Sequence, residues 1–188
     1  MYVRSSFEKR EYWLEEVYFR KRDQELIEKL HRRRARQAEH RRMAEIVGIS
    51  DQGVIDALQD LGYTAKTVQL LYFVPLVQVA WSEGGVADRE RETILNLAST
   101  RGIEAGSLAQ QQLTQWLIVK PSEQFIEDNL HAIRVIFTAL PPAQRESRRQ
   151  HLLDSCRLIA STVEGGIMGR AQISDAQLML IEHIAKEI

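Results

Sequence analysis

The sequence predicts an all-α protein: a bundle of about seven or eight helices made of two related helical hairpins, with a long, charged N-terminal helix. Three observations support this fold class. No segment alternates polar and apolar residues with the period of two that a half-buried strand shows. Several segments instead carry apolar residues three and four positions apart, as amphipathic helices do. An apolar helix followed by Glu-Gly-Gly also occurs twice, at 83–85 and 164–166, and each copy precedes a new helix, which indicates related hairpins.

The first helix is expected to begin at Ser5 or Ser6, because serine is a favoured N-cap residue and Glu8 then lies in the first turn. Neither glycine nor proline interrupts the chain before Gly48. The first half of this helix carries apolar residues at imperfect helical spacing: Phe7, Trp13, Leu14, Val17, Tyr18, Ile27 and Leu30.

The second half of this helix is dominated by arginine. Between His31 and Arg42 there are six arginines and one glutamate, and no large apolar side chain. A helix that is polar on all sides cannot be buried against a domain, so this half is expected to project into solvent or to lie on a partner. We therefore predict two parts: an N-terminal amphipathic and then Arg-rich helix at 1–47, and a helical domain at 48–188.

Two helices are expected at the start of that domain. The pair Ser50-Asp51 begins a short helix, and Gly62 ends it at the position where helices favour glycine. Thr64 then caps a helix that extends to about residue 82. Pro75 lies inside it and removes one backbone donor, so a kink or a break is expected there.

Further helices follow at 88–99 and 108–119, and Pro121 is expected in the first turn of the next one. That next helix has the strongest apolar stripe of the chain: Phe125, Ile126, Leu130, Ile133, Ile136, Phe137 and Leu140.

Two prolines, Pro141 and Pro142, separate the stripe helix from a helix that is expected to extend through Val163. The final helix is expected at 175–188, because Ser174 and Gln177 have the spacing of a capping box.

Composition and charge exclude several classes of protein. The chain has 188 residues, 44% of them apolar, and a formal net charge of −1, so no overall field attracts it to nucleic acid or membrane. A single cysteine excludes a disulfide within the chain and fits a reducing compartment. The longest apolar run, 68–81, is too short to span a bilayer, and residues 1–10 lack the apolar core of a secretory signal. We therefore expect a cytoplasmic protein.

No catalytic motif is present in the sequence. It contains no phosphate-binding Walker loop, no Gly-x-Ser-x-Gly nucleophile elbow, no dinucleotide-binding glycine pattern, and neither His-Glu-x-x-His nor Cys-x-x-Cys. Cys156 has apolar neighbours at helical spacing and is expected to be packed, and Trp81 and Trp116 are expected in the core. We predict that the protein is not an enzyme.

The two Glu-Gly-Gly segments carry the main candidate site. Glu83 and Glu164 each follow an apolar helix, where a negative charge faces the negative end of the helix dipole and costs roughly 0.3–1 kcal/mol. Either neighbouring arginines or a divalent cation, calcium or magnesium, would offset this charge. Because no complete calcium loop is present, a bound cation would be held weakly. The candidate metal ligands are Glu83, Asp88, Glu90 and Glu164, although Glu90 can instead accept a hydrogen bond from a free N–H at the start of its own helix.

The segment Ser82-Glu83-Gly84-Gly85-Val86-Ala87-Asp88-Arg89-Glu90 resembles the Ala-Asp-Gly-x-Val-Ser-x-x-Glu pattern of the tellurite-resistance TerB-like helical domain. The family's later glycine-rich pattern is matched by Gly165, Gly166, Gly169, Ile173, Ser174 and Gln177. The resemblance covers 43–188 and implies a helical module of stress and metal-resistance systems whose acidic loop residues bind divalent cations. Glu83, Ala87 and Gln177 replace the family's usual Asp, Ser and Glu.

The arginine-rich segment has three possible roles. It could neutralise the phosphates of a nucleic acid, contact the headgroups of an anionic membrane surface, or pair with glutamates of its own helix or of a second copy. No aromatic residue lies among the arginines, which argues against base stacking and so against nucleic acid. We expect a protein-interaction or scaffold protein that binds a partner or itself through the candidate interaction residues Phe7, Trp13, Arg32, Arg33, Arg34, Arg36, Arg41 and Arg42.

Overall fold

A computed structural model describes residues 6–162 and 173–188, without the side chains of 6–15 and 17. Over this part of the chain the protein consists of eight α-helices and one 3₁₀ helix, with no strand, so the predicted all-α class is confirmed. The α-helices are α1 Ser6–Val47, α2 Gln52–Asp60, α3 Val74–Ala80, α4 Asp88–Thr100, α5 Leu108–Ile118, α6 Glu123–Ala139, α7 Pro142–Ala160 and α8 Asp175–Glu187. The 3₁₀ helix, Val68–Phe73, directly precedes α3.

The chain forms two compact units, residues 1–41 and 42–188. The second unit contains the hydrophobic core, because every buried apolar side chain in the described ranges lies at Met43 or later. The division predicted from the sequence lies after residue 47, where Gly48 ends α1. The last turn of α1 nevertheless belongs to the second unit, since Met43 and Val47 are fully buried there.

The helix α3 is the centre of the second unit. It contacts α4, α6, α7 and α8, and six of its seven residues are buried. The expected single helix from Thr64 to residue 82 is divided at Pro75, which lies in the first turn of α3. Because a first-turn N–H has no partner within the helix, proline costs little there. Of the two expected outcomes at Pro75, a kink or a break, the structure shows the break, with the tighter 3₁₀ helix before it.

Side-chain caps fix where several helices begin. Asp51 caps α2 by accepting from the N–H of Val54 at 3.2 Å, as expected. Ser122 caps α6, so the expectation that Pro121 opens this helix is wrong: the proline precedes the cap. A proline at the first helical position is found instead in α7, which begins at Pro142.

The end of the chain is described in part. The capping box of α8 is confirmed, since Ser174 accepts from the Gln177 N–H while the Gln177 side chain accepts from the Ser174 N–H. The helix α7 ends at Ala160, before the expected end at Val163. The second Glu-Gly-Gly segment, 164–166, lies outside the described residues, so of the two expected turns only the first is described.

The predicted apolar stripe on α6 is confirmed. Ile126, Leu130, Ile133, Ile136 and Phe137 are all buried and share one side of the helix. In the core, α6 packs against α2, α3, α7 and α8.

Candidate functional site

The described part of α1 within the first unit carries several exposed apolar side chains. Tyr18, Phe19, Leu26, Ile27 and Leu30 are each between 50% and 59% exposed, and together we call them the α1 apolar surface. Phe19, Leu26 and Leu30 are seven and four residues apart, so they lie on the same side of the helix. The Tyr18 and Phe19 rings contact each other edge to face, with centroids 5.9 Å apart. Two candidate interaction residues, Phe7 and Trp13, have side chains outside the described part.

The other six candidate interaction residues are arginines with exposed side chains: Arg32, Arg33, Arg34, Arg36, Arg41 and Arg42. Arg32 forms an ion pair with Glu28, one turn earlier, at 3.1 Å. Arg41 donates to the carbonyl oxygen of Gln37 at 3.4 Å. The pairing of arginines with glutamates of the same helix, one of the three roles considered from the sequence, therefore occurs at Arg32. Exposed pairs of this kind contribute only a few tenths of a kcal/mol, which leaves the charge accessible to a partner.

The first Glu-Gly-Gly turn joins α3 to α4 and places two carboxylates near each other. Gly84 has a φ of 88°, a conformation that glycine adopts without strain. Glu83 is exposed, whereas Glu90 is 2% exposed and accepts a hydrogen bond from the Ala87 N–H at 2.9 Å. Burial raises the pKa of Glu90, the Ala87 hydrogen bond lowers it, and the charge of Glu83 raises it. The capping role considered for Glu90 is therefore the one that the structure shows.

The four candidate metal ligands are only partly described. Glu90 serves as a cap, Glu83 and Asp88 are exposed, and Glu164 lies outside the described residues. Within 6–162 and 173–188, no group of three or more His, Cys, Asp or Glu side chains is arranged to hold a metal ion. A calcium or magnesium site that involves Glu164 stays a prediction.

Comparison with known proteins adds no relative. No protein-family model matches the sequence, and searches of curated proteins and of solved structures found no significant match. The similarity to the TerB-like pattern therefore rests on the quoted residues. Among the described helices, none is both long and apolar enough to cross a membrane.

The single cysteine and two of the tryptophans are packed inside the second unit. Cys156 is fully buried, and burial raises its pKa to about 12, so the thiolate form is strongly disfavoured. Trp116 is buried and accepts, at its backbone oxygen, a hydrogen bond of 2.8 Å from the Trp81 indole N–H. These residues are therefore structural, as the sequence predicts.

A groove that no sequence pattern predicted lies between α2 and α6. Its volume is about 570 Å³, and its surface is mainly apolar. The apolar lining residues are Val54, Ala57, Leu61, Ala132 and Val135, and the charged or titratable ones are Asp51, Asp60, Asp128 and His131. An apolar groove with acidic edges is suited to an amphipathic helix that carries basic residues.

A second missed feature is a smaller cleft of about 310 Å³ in the same unit, lined by Ile46, Tyr72, Arg101, Phe137, Arg148, His151 and Leu152. Its polar residues come from the 3₁₀ helix, the end of α4 and one side of α7. The sequence held one weak signal, an arginine and a histidine three residues apart on α7. Nothing in the sequence relates that pair to Arg101, which only the tertiary packing brings to the same cleft.

Proposed function

We propose that this protein is a non-enzymatic, TerB-like helical module that acts in protein interaction, with α1 as its docking element. The observation that carries the proposal is the α1 apolar surface, five large side chains each at least half exposed within thirteen residues of one helix. Exposed apolar residues are common singly, but a cluster of this kind marks an interaction surface. The acidic-edged groove between α2 and α6 supports the same class of function.

The charge pattern of α1 favours association with a second copy. The part of the helix up to Leu30 carries six glutamates and one aspartate beside six basic residues, whereas the part after Leu30 is rich in arginine. Two such helices side by side in antiparallel orientation bring opposite charges together, which fixes their direction, while the α1 apolar surface supplies the contact area. A helix of this length, roughly 60 Å at 1.5 Å per residue, offers ample surface for a stable pair.

The TerB-like assignment rests on the segment 82–90 and on the hydrogen bond from Ala87 to Glu90 at the start of α4. Glu90 occupies the position of the family's glutamate after the turn, and the fold over the described residues is all-helical. A role in a stress-related system follows from the resemblance. The divalent-cation role is the weaker alternative, because Glu90 already acts as a cap.

The proposal is tested by light scattering on the full chain over a range of concentrations. The double variant Leu26→Gln/Leu30→Gln removes two exposed apolar side chains without touching the core, and we expect it to shift the mass towards that of a monomer. Leu108→Gln is the matched control, since Leu108 is equally exposed but lies on α5. High salt should weaken association further, because paired charges on exposed helices are screened.

A wild-type protein that is monomeric at every concentration refutes self-association. In that case docking of a different protein is tested with the same variants as bait. A partner retained by the wild type and by Leu108→Gln, but lost by the double variant, supports the interaction role of α1. Equal retention by all three contradicts it.

A further inference from the structure

The cleft lined by Arg101 and Arg148 has the composition of an anion site. Of the described residues that line it, two are arginines, one is His151 and none is acidic. The arginines come from different elements, Arg101 from the end of α4 and Arg148 from α7. Two guanidinium groups that share a cleft repel each other, and this repulsion is relieved when a ligand of opposite charge lies between them.

Arg101 is held in place but is not neutralised by the cleft. Its guanidinium donates to the hydroxyl of Ser155 at 2.7 Å and lies over the ring of Phe73, 5.5 Å from the centroid. Burial lowers the pKa of Arg101, while the neighbouring Cys156 raises it. A partly buried cation that is surrounded by a hydroxyl and aromatic rings keeps donors available for an anion.

Arg148 is positioned by the end of α1. One guanidinium nitrogen donates to the carbonyl oxygen of Val47 at 2.9 Å and so caps that helix. Gly48, with a φ of 78°, allows the close approach, since a Cβ at this position would lie 3.0 Å from the second terminal nitrogen of Arg148. The guanidinium is therefore fixed before any ligand arrives, and the N–H groups that do not bond to Val47 or Tyr72 are available.

The hydroxyl of Tyr72 is a third polar group of the cleft. It is buried, and burial raises the pKa of Tyr72, whereas the charge and hydrogen bonding of the neighbouring Arg148 guanidinium lower it. Because arginine can only donate, the O–H of Tyr72 still has no acceptor among the described residues. The Tyr72 ring is stacked on Phe137, with centroids 6.2 Å apart and planes at 16°, so the hydroxyl is held in position at the cleft. A buried donor without an acceptor is rare in native proteins, so this O–H indicates a ligand that accepts from it.

We propose that this cleft binds a small phosphomonoester. The two arginines carry two positive charges, which the charge of a phosphomonoester, about −1.5 to −2 at pH 7, balances more fully than the single charge of a carboxylate. The cleft holds roughly ten water volumes of ~30 Å³ each, more than the phosphate group alone fills. The remaining wall is formed by Ile46, Phe137 and Leu152, so the ester group facing it is apolar.

The test is calorimetric titration of the full chain with phenyl phosphate, inorganic phosphate and benzoate. We expect saturable binding of one phenyl phosphate per chain, weaker binding of inorganic phosphate, and the weakest binding of benzoate. Arg101→Gln should weaken phenyl phosphate binding at least tenfold. Tyr72→Phe should weaken it about tenfold, since it removes one hydrogen bond to a charged ligand.

Arg157→Gln is the matched control. Arg157 is an arginine of α7 that pairs with Asp154 at 2.8 Å and does not line the cleft. This variant should bind phenyl phosphate as the wild type does. Tyr72→Phe should also melt cooperatively without ligand, so that a loss of binding reports the missing hydroxyl and not unfolding.

Four results would overturn the proposal. The first is that phenyl phosphate does not bind saturably, and the second is that benzoate binds as tightly as phenyl phosphate. The third is that Arg157→Gln and Arg101→Gln lose the same affinity for phenyl phosphate, because this result indicates unspecific attraction of charge. The fourth is unchanged affinity in a Tyr72→Phe variant. If inorganic phosphate binds as tightly as phenyl phosphate, the inference that the ligand carries an apolar ester group is wrong.

Discussion

Truncation of Phe137 tests whether α6 is central to the core. Phe137 is 2% exposed, lies on the confirmed apolar stripe and stacks on Tyr72. Phe137→Ala removes about 150 Å² of buried apolar area, which at ~25 cal/mol per Å² corresponds to about 4 kcal/mol. Loss of the ring pair adds to this cost, whereas partial collapse of the cavity reduces it. We therefore expect a loss of about 3–5 kcal/mol in the free energy of unfolding.

The loss is measured by urea denaturation, followed by helical circular dichroism and by tryptophan fluorescence. Both signals should give the same transition with an unchanged slope, so that the shift in midpoint reports stability alone. In a thermal melt the expected shift is about 10 °C, from roughly 2–4 °C per kcal/mol in a domain of this size.

The matched control is Leu108→Ala, a truncation to alanine at a side chain that is 57% exposed on α5 and lies outside the α1 apolar surface. It should change stability by less than about 0.5 kcal/mol. If Phe137→Ala lowers the free energy of unfolding by less than about 1 kcal/mol, or by no more than the control does, then α6 is not central to the core.

Three further experiments, two substitutions and one thiol-labelling reaction, probe buried polar or titratable groups of the second unit. Tyr63→Phe should lower the free energy of unfolding, measured by urea denaturation, by about 1–3 kcal/mol. The Tyr63 hydroxyl donates to the side-chain oxygen of buried Asn129 at 2.5 Å, and its loss leaves that oxygen unsatisfied. An unchanged free energy of unfolding contradicts this hydrogen bond. Glu90→Gln keeps an acceptor for the Ala87 N–H and removes a buried charge. Burial raises the pKa of Glu90, so its contribution to stability is present at low pH and is lost as pH rises through the folded pKa. The variant should therefore lose less stability than the wild type as the pH rises above about 4.5, the ordinary value of the carboxyl. Parallel pH profiles of the two proteins refute this. Cys156 should react with a thiol reagent only in denaturant, since its pKa is about 12 and its side chain is buried; rapid labelling of the native protein is the opposing result.

Deletion of residues 1–41 tests the independence of the second unit. All buried apolar side chains of the described ranges remain after this deletion, including Met43 and Val47 in the last turn of α1. We expect a helical domain that unfolds cooperatively at a midpoint close to that of the full chain. A deletion product without a cooperative transition shows instead that α1 is needed for the core.

The helix starts illustrate what short-range chemistry predicts. The cap at Asp51 and the box of Ser174 with Gln177 were expected and are present, because a cap depends on residues within one turn of each other. Pro121 was misplaced by two residues, since proline is compatible both with the first turn and with the extended residue before a cap. Such errors move a boundary without changing the fold.

The sequence by itself determined the all-helical class, the stripe on α6, the packing of Cys156 and the polar second half of α1. Each of these depends on helical periodicity or on the cost of burying charge, and both are properties of neighbouring residues. Only the tertiary structure decided that α3 is the centre, and that Tyr72, Arg101 and Arg148 share a cleft. These residues lie far apart in the chain, and what joins them is the angle and register at which α4 and α7 pack. That geometry results from side-chain interlocking across the whole core, which no local pattern records.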